Sequence, residues 1–147
     1  TKSGPKLFEL GARCGGGGIP DPIVPHLTGV EMFKETVRLA VGDEPQALAP
    51  LYHKGATYRW ITPAPGKVSS ISGVERVQQW EGILDCEVLV EPDATLPAVR
   101  VGGDRAGFII AGGNNREEAI ALADRAERAI HFSYQSSGKG LASQSDN

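Results

Sequence analysis

Apolar positions in this chain recur with two different periods, and clusters of glycine and proline separate them. Val30, Phe33, Val37, Ala40 and Val41 return at the spacing of one helix face. Thr28 and Glu31 stand at capping-box distance ahead of them, and Gly42 comes where helices stop, so a helix is expected from Thr28. Pro45 at a first turn suggests a second short helix to about Leu51. Between Gly15 and Pro25, three prolines permit no more than one turn near Ile23–His26. Upstream, residues 5–13 read as a strand.

Beyond Tyr52 the period shortens. Residues 56–61 put Ala56, Tyr58 and Trp60 on one face of a strand. Pro63 to Gly66 is a turn that proline presets and glycine closes, and Lys67–Ile71 is expected as the return strand. Ser72 and Glu75 form a second capping box over a short helix to about Trp80. Ile83–Glu91 alternates, with Cys86, Val88 and Val90 against Asp85, Glu87 and Glu91. A loop from Pro92 to Gly103 leads to a strand at Arg105–Ala111. Asn115 and Glu118 make a third capping box. Ala119, Leu122, Ala123, Ala126, Ala129 and Ile130 then build the apolar face of a helix that lies on a sheet. His131–Tyr134 is expected as an edge strand, and the polar stretch 136–147 as a disordered tail. The fold class is therefore α+β. Residues 1–52 hold too little core to fold alone, whereas 53–135 hold enough.

Composition narrows the function. Among 147 residues, 40% are apolar and the net charge is −3, which gives no basic field for nucleic acid. No apolar run approaches the roughly 18 residues of a membrane helix. Cys14 and Cys86 lie far apart, and with three histidines they form no zinc-ligand spacing, so free thiols in a cytoplasmic setting are expected. Trp60 and Trp80 are expected in core or interdomain packing.

The chemistry concentrates in LFELGARCGGGGIP, from Leu7 to Pro20. A strand that delivers one carboxylate, Glu9, and one guanidinium, Arg13, into bare main chain suits a phosphate–metal site. The carboxylate holds a hard cation. The guanidinium forks onto carboxylate or phosphate. Consecutive glycine N–H groups close on an anion. Cys14 lies inside this motif with no adjacent His or Lys to activate it.

FELGAR resembles the late strand E-x-N-x-R of ATP-grasp ligases, and the glycines and the T-G-V-E helix start come in the same order. GARCGGGGIPD is most similar to the carboxylate–amine branch that includes the L-amino acid ligases. PAPGKV, GVERV and AGFIIAGGNNREEAIALA resemble the C-terminal domain of biotin carboxylase-like enzymes. The resemblance covers about residues 5–132. It implies the end of an ATP-grasp domain at 1–52 and a biotin carboxylase-like domain at 53–135, with a mostly antiparallel sheet and two helices. It further implies Mg²⁺ or Mn²⁺ on Glu9 with ATP as co-substrate. Arg13 is then the catalytic and substrate-holding residue, and Gly16 and Gly17 contact the substrate; His26, after a proline in the loop that follows, is by position a further candidate for substrate contact. The substrates implied are a small carboxylate and an amine, both amino acid-like, and a homodimer is compatible with the family. Gly11 replaces the family's Asn, which removes one side-chain oxygen from the metal. The nucleotide-binding lobes have no counterpart in the chain, so it is expected to be inactive alone. Two other readings are a biotin-dependent carboxylating enzyme, against which the glycines after Arg13 argue, and a non-catalytic packing or dimerisation module.

Overall fold

The computed structural model describes residues 3–11, 13–46 and 48–136. An irregular turn at Ile19–Ile23 leads into α1 (Val24–Thr28) and α2 (Met32–Ala40). The remaining elements are β1 (Gly55–Ile61), β2 (Gly66–Ser72), α3 (Val74–Gln78), β3 (Ile83–Val88), β4 (Thr95–Leu96), β5 (Gly107–Gly113), α4 (Arg116–Ala129) and β6 (His131–Tyr134). Two three-stranded sheets form, ordered β1-β5-β3 and β4-β2-β6, with every pairing antiparallel. The α+β class expected from the two periods is the observed one.

β5 is the middle of the first sheet because it can be buried on both faces. Ile109 and Ile110 point to opposite sides and are both 0% exposed. Ile109 enters the main core with Ile61, Val77, Cys86, Ala126 and Ile130, against which Ile71 and Phe132 of the second sheet also pack. α4 lies across β1 and β5. Its inward positions Ala119, Ala123 and Ala126 are fully buried and small, so the helix approaches the strands closely. The paired residues Gly55 and Gly113 finish that approach. A Cβ on Gly55 would fall on the Asn115 carbonyl, and one on Gly113 would come 2.8 Å from the Ala119 nitrogen. The third expected cap is made in its N-cap half: Asn115 Oδ1 accepts from Glu118 N at 2.9 Å, while Glu118 Oε2 reaches one residue further back, to Asn114 N, at 3.0 Å.

The other two capping boxes are not. Thr28 closes α1 instead of opening α2, with its hydroxyl donating to Val24 O at 2.8 Å. Gly29 comes next in the left-handed region (φ 77°), and α2 starts only at Met32. Ser72 belongs to β2, and Gly73 (φ 91°) is the N-cap of α3. A Cβ there would meet the Ala129 carbonyl, so packing against the end of α4 fixes a glycine at that corner. The expected helix at 45–51 is absent from the described part of that stretch. Gln46 N instead donates to Glu35 Oε2 at 2.7 Å, tying the chain back to α2. At the turn expected from Pro63 to Gly66 the chain only bends, at Pro65, and β2 does not return along β1. It leaves for the second sheet, where β6 is its edge partner and the short β4 arises inside the expected 92–103 loop. Apart from Ser136, the expected tail lies outside the described residues.

Arg59, on the α4 side of β1, forks onto two carboxylates one helical turn apart. Nη2 donates to Asp124 at 2.5 Å and Nη1 to Glu127 at 2.8 Å. The bond to Asp124, ahead of that to Glu127, raises the guanidinium pKa further. All three side chains stay about a third exposed, so solvent screens the pair and its worth is about 1 kcal/mol. Arg59→Met should therefore lower unfolding free energy in urea by about 1 kcal/mol, with no change of fold by circular dichroism. Gly55→Ala should cost more, about 2–3 kcal/mol, because backbone rather than a side-chain tip must move; an unchanged urea midpoint would contradict the close approach of α4.

Candidate functional site

Residues 3–13 precede the first regular element. The described residues of this stretch, 3–11 and 13, pair with no strand, so the strand expected at 5–13 is not formed among them. Leu7, Phe8 and Leu10 are 83%, 98% and 84% exposed. Periodicity marks the two faces of a strand but does not supply a neighbour with open N–H and C=O groups. Glu9 and Arg13 both lie exposed on this segment. The Arg13 guanidinium turns onto the next residue, donating from Nη1 to Cys14 O at 3.1 Å.

From Cys14 the chain is held. Its Sγ sits 3.8 Å from the Thr36 hydroxyl on α2. Ile19 N donates to Gly16 O at 3.4 Å and Ile23 N to Gly18 O at 3.0 Å. The four glycines then divide by role. Gly17 (φ 64°) and Gly18 (φ 70°) take left-handed backbone that other residues rarely adopt. Gly18 is pressed on β5, where a Cβ would lie 2.5 Å from Ile110 Cδ1. A Cβ on Gly17 would lie 3.7 Å from the Tyr58 ring, whereas one on Gly16 would meet nothing within 4 Å. Gly18 thus holds the loop down, and Gly16 leaves main chain open. Between them and the sheet is a cleft of about 340 Å³, walled by Gly16, Gly17, Ile19, Ile23, Tyr58 and Trp60. Tyr58 and Trp60 lie 4.6 Å apart between ring centroids, and the Arg105 guanidinium covers Trp60 at 4.2 Å. Burial, and after it the nearby charge of Asp85, pushes the Tyr58 hydroxyl above its usual pKa.

His26 is elsewhere. It walls a larger cleft of about 890 Å³ with Lys54, Trp80, Gly112, Asn114 and Arg125, near the start of α4. Its Nε2 is buried with no hydrogen-bond partner among the described residues. A Cβ on Gly112 would come 2.5 Å from that nitrogen, so the imidazole edge occupies the space a side chain would take. The structure brings Gly16 and Gly17 together and leaves His26 in a separate cleft. Among the described residues, no three His, Cys, Asp or Glu side chains gather where they could hold a metal ion. Tyr58, Trp60, Phe108 and Arg105 were not singled out as site residues from sequence. The alternation did place Tyr58 and Trp60 on one face, but what covers that face depends on residues fifty positions away in β5 and forty in the glycine loop.

A family model described as L-amino acid ligase C-terminal domain 2 matches residues 59–135. The chain belongs to this family. Its L-amino acid ligase C-terminal domain 2 comprises all of the second sheet, α3, α4 and most of the first sheet. No curated protein sequence is significantly similar to the chain. Among solved structures, the fold is similar to that of L-amino acid ligase from Bacillus licheniformis, with TM-score 0.67 and 23% identity. That match covers 85% of this chain and 31% of the ligase. Phosphoribosylglycinamide synthetase from Anaerococcus prevotii is similar too, with TM-score 0.67, 17% identity, and 80% and 30% coverage of the two chains. This chain therefore spans about a third of the length of either structure. Both likenesses show a shared fold, and the α+β arrangement of antiparallel sheets and helices expected for residues 53–135 is the one these structures share.

The two thiols of this L-amino acid ligase domain chain differ sharply. Cys86 is 3% exposed, and burial, then the charge of Asp85, pushes its pKa up to about 11. The nucleophile is the thiolate, so ionisation must precede alkylation. At pH 8 iodoacetamide should label Cys14 in the folded protein and reach Cys86 only after unfolding. Two rapid labels on folded protein, read by mass spectrometry, would contradict the burial.

Proposed function

We propose that the chain is the C-terminal part of an ATP-dependent ligase that joins a carboxylate to an amine through an acylphosphate. The observation that carries this reading is the open main chain at Gly16, which follows the exposed Glu9 and Arg13 in sequence, in a chain whose residues 59–135 are an L-amino acid ligase C-terminal domain 2. In the reaction a substrate carboxylate oxygen attacks the γ-phosphorus of ATP and ADP leaves. The amine then attacks the acyl carbon, and phosphate leaves as the amide forms. Charge gathers on phosphoryl oxygens, so positioning and electrostatics dominate.

Arg13 is suited to fork onto the acylphosphate or the substrate carboxylate, since its exposed guanidinium engages, among the described residues, the adjacent Cys14 carbonyl through Nη1. Gly16 and Gly17 are exposed and carry no side chain of their own to block an approaching anion. Glu9 supplies one oxygen donor, which fits Mg²⁺, an ion held by one or two carboxylates with the rest of its shell from phosphates and water. When bound, Mg²⁺ would neutralise charge on the transferring phosphoryl group. His26 belongs to the other cleft and takes no part in this step. The nucleotide lobes complete the reading: the chain alone should neither bind ATP tightly nor release ADP, and residues 1–52 would be the end of the ATP-grasp domain they form.

In the protein that carries these lobes, Glu9→Ala should reduce amino acid-dependent ADP release about a hundredfold or more, since several kcal/mol of charge stabilisation is lost. Arg13→Ala should cost about 10–100-fold, the worth of a charge-assisted pair of bonds. Wild-type rates in both variants, or tight ATP binding by the 147-residue chain alone in calorimetry, would overturn the reading.

A further inference from the structure

The cleft that His26 walls takes no part in the ligase step. It holds about 890 Å³ between α1, the start of β1, the corner joining α3 to β3, the end of β5 and one side of α4. Two of its lining side chains are cations seated on aromatic rings. The Arg125 guanidinium lies 4.7 Å from the centroid of Trp80, and the Lys54 ammonium 5.1 Å from that of Tyr52. A ring steadies a cation without cancelling its charge, and the N–H groups stay available. Neither cation makes an ion pair with a carboxylate among the described residues. Main chain holds Lys54 in place, its N–H donating to Leu27 O at 3.0 Å. The Tyr52 hydroxyl is tied to α1 as well, donating to Pro25 O at 3.2 Å.

Two carboxylates also line the cleft. Glu118 is already engaged, since its oxygens accept from Asn114 N, Asn114 Nδ2 and Asn115 Nδ2, each at 3.0 Å. Glu81 is exposed and pairs with neither cation. The wall therefore carries two uncommitted positive charges against one uncommitted negative charge. His26 Nε2 belongs to the same wall and is buried with no partner among the described residues. Buried polar atoms nearly always have a partner, so this nitrogen marks a wall that a polar ligand can complete. We propose that the cleft binds a small, multiply charged anion, a phosphate ester or a polycarboxylate, through Arg125 and Lys54. Arg125 can fork onto one acid group, and Lys54 supplies a point charge for a second. The volume is that of a small-molecule site, larger than one phosphate fills. The site is separate from Gly16 and Gly17, and the inference does not rest on the ligase reading.

Trp80 reports on this site because Arg125 lies on its ring. Trp60, the other tryptophan, walls the other cleft and is the internal reference. Nitrogen-15 NMR of the 147-residue chain follows both indole N–H signals during titration with pyrophosphate, with citrate and with sodium chloride at matched ionic strength. The expected result is a saturable shift of Trp80 with pyrophosphate or citrate, while Trp60 and the chloride titration stay flat. The tighter of the two anions tells phosphoryl from carboxyl chemistry. By calorimetry, Arg125→Gln should weaken that anion about tenfold and Lys54→Gln about fivefold. Glu81→Gln should tighten it about twofold, because a like charge leaves the rim. An unmoved Trp60 signal in each variant shows that the fold is kept. Equal shifts of Trp60 and Trp80, a chloride titration that reproduces the response, or unchanged affinity in both cation variants would overturn the inference. ATP held here by its phosphates would be lost in the Lys54→Gln, Arg125→Gln double variant, whereas ATP in a nucleotide site would remain. Failure of this inference is thus distinguishable from failure of the ligase reading.

Discussion

β5 is covered on both sides, and the rest of the molecule is arranged around that double burial. Ile109 is sealed by the core under α3 and α4, and Ile110 by the turn of chain around Gly18. A strand buried on both faces must occupy the middle of its sheet, which places β1 and β3 at the flanks. It also demands close approach on both sides. Alanines on α4 and the glycine pair Gly55–Gly113 meet that demand on one face, and Gly18 meets it on the other. The glycine run is thus a packing device at its end and an open main-chain edge at its start.

The division has a consequence for chemistry. Because Gly18 anchors the loop to the sheet, Gly16 and Gly17 are held at the rim of an aromatic cleft instead of moving freely in solvent. Order that would otherwise be costly for a run of glycines is supplied by contact with Ile110 and Tyr58. Packing of the L-amino acid ligase C-terminal domain 2 therefore fixes the position of the segment that the ligase reading needs. α2 shows the complementary situation. Phe33, Val37 and Val41 are 50%, 61% and 69% exposed, an apolar face of the right period that the described residues do not cover.

The N-cap at Asn115 was legible and formed with Glu118, whereas the caps at Thr28 and Ser72 were legible and did not form. The difference lies in the residues downstream of each cap. After Asn115 an uninterrupted alanine-rich face continues for several turns against a sheet. After Thr28, Gly29 breaks the backbone, and after Ser72 the carbonyl of Ala129 needs Gly73 at the corner. A capping signal is local, and tertiary packing decides whether a helix begins there. His26 shows the same limit. Its place in a proline-rich loop near the glycines suggested a shared site, but α1 turns it against Gly112 instead.

By itself the sequence determined the α+β class, the strands expected at 56–61, 83–91 and 105–111 and observed at Gly55–Ile61, Ile83–Val88 and Gly107–Gly113, the helix after Asn115 and the ligase-like motifs, because periodicity, capping and turn chemistry act over a few residues. Only the tertiary structure decided that β2 leaves β1 for a second sheet, that 7–10 finds no strand among the described residues, and that Tyr58, Trp60 and Phe108 pack together on one face of the first sheet. Those facts depend on which distant backbone groups and side chains pair, and strand pairing across fifty residues leaves no mark within either strand.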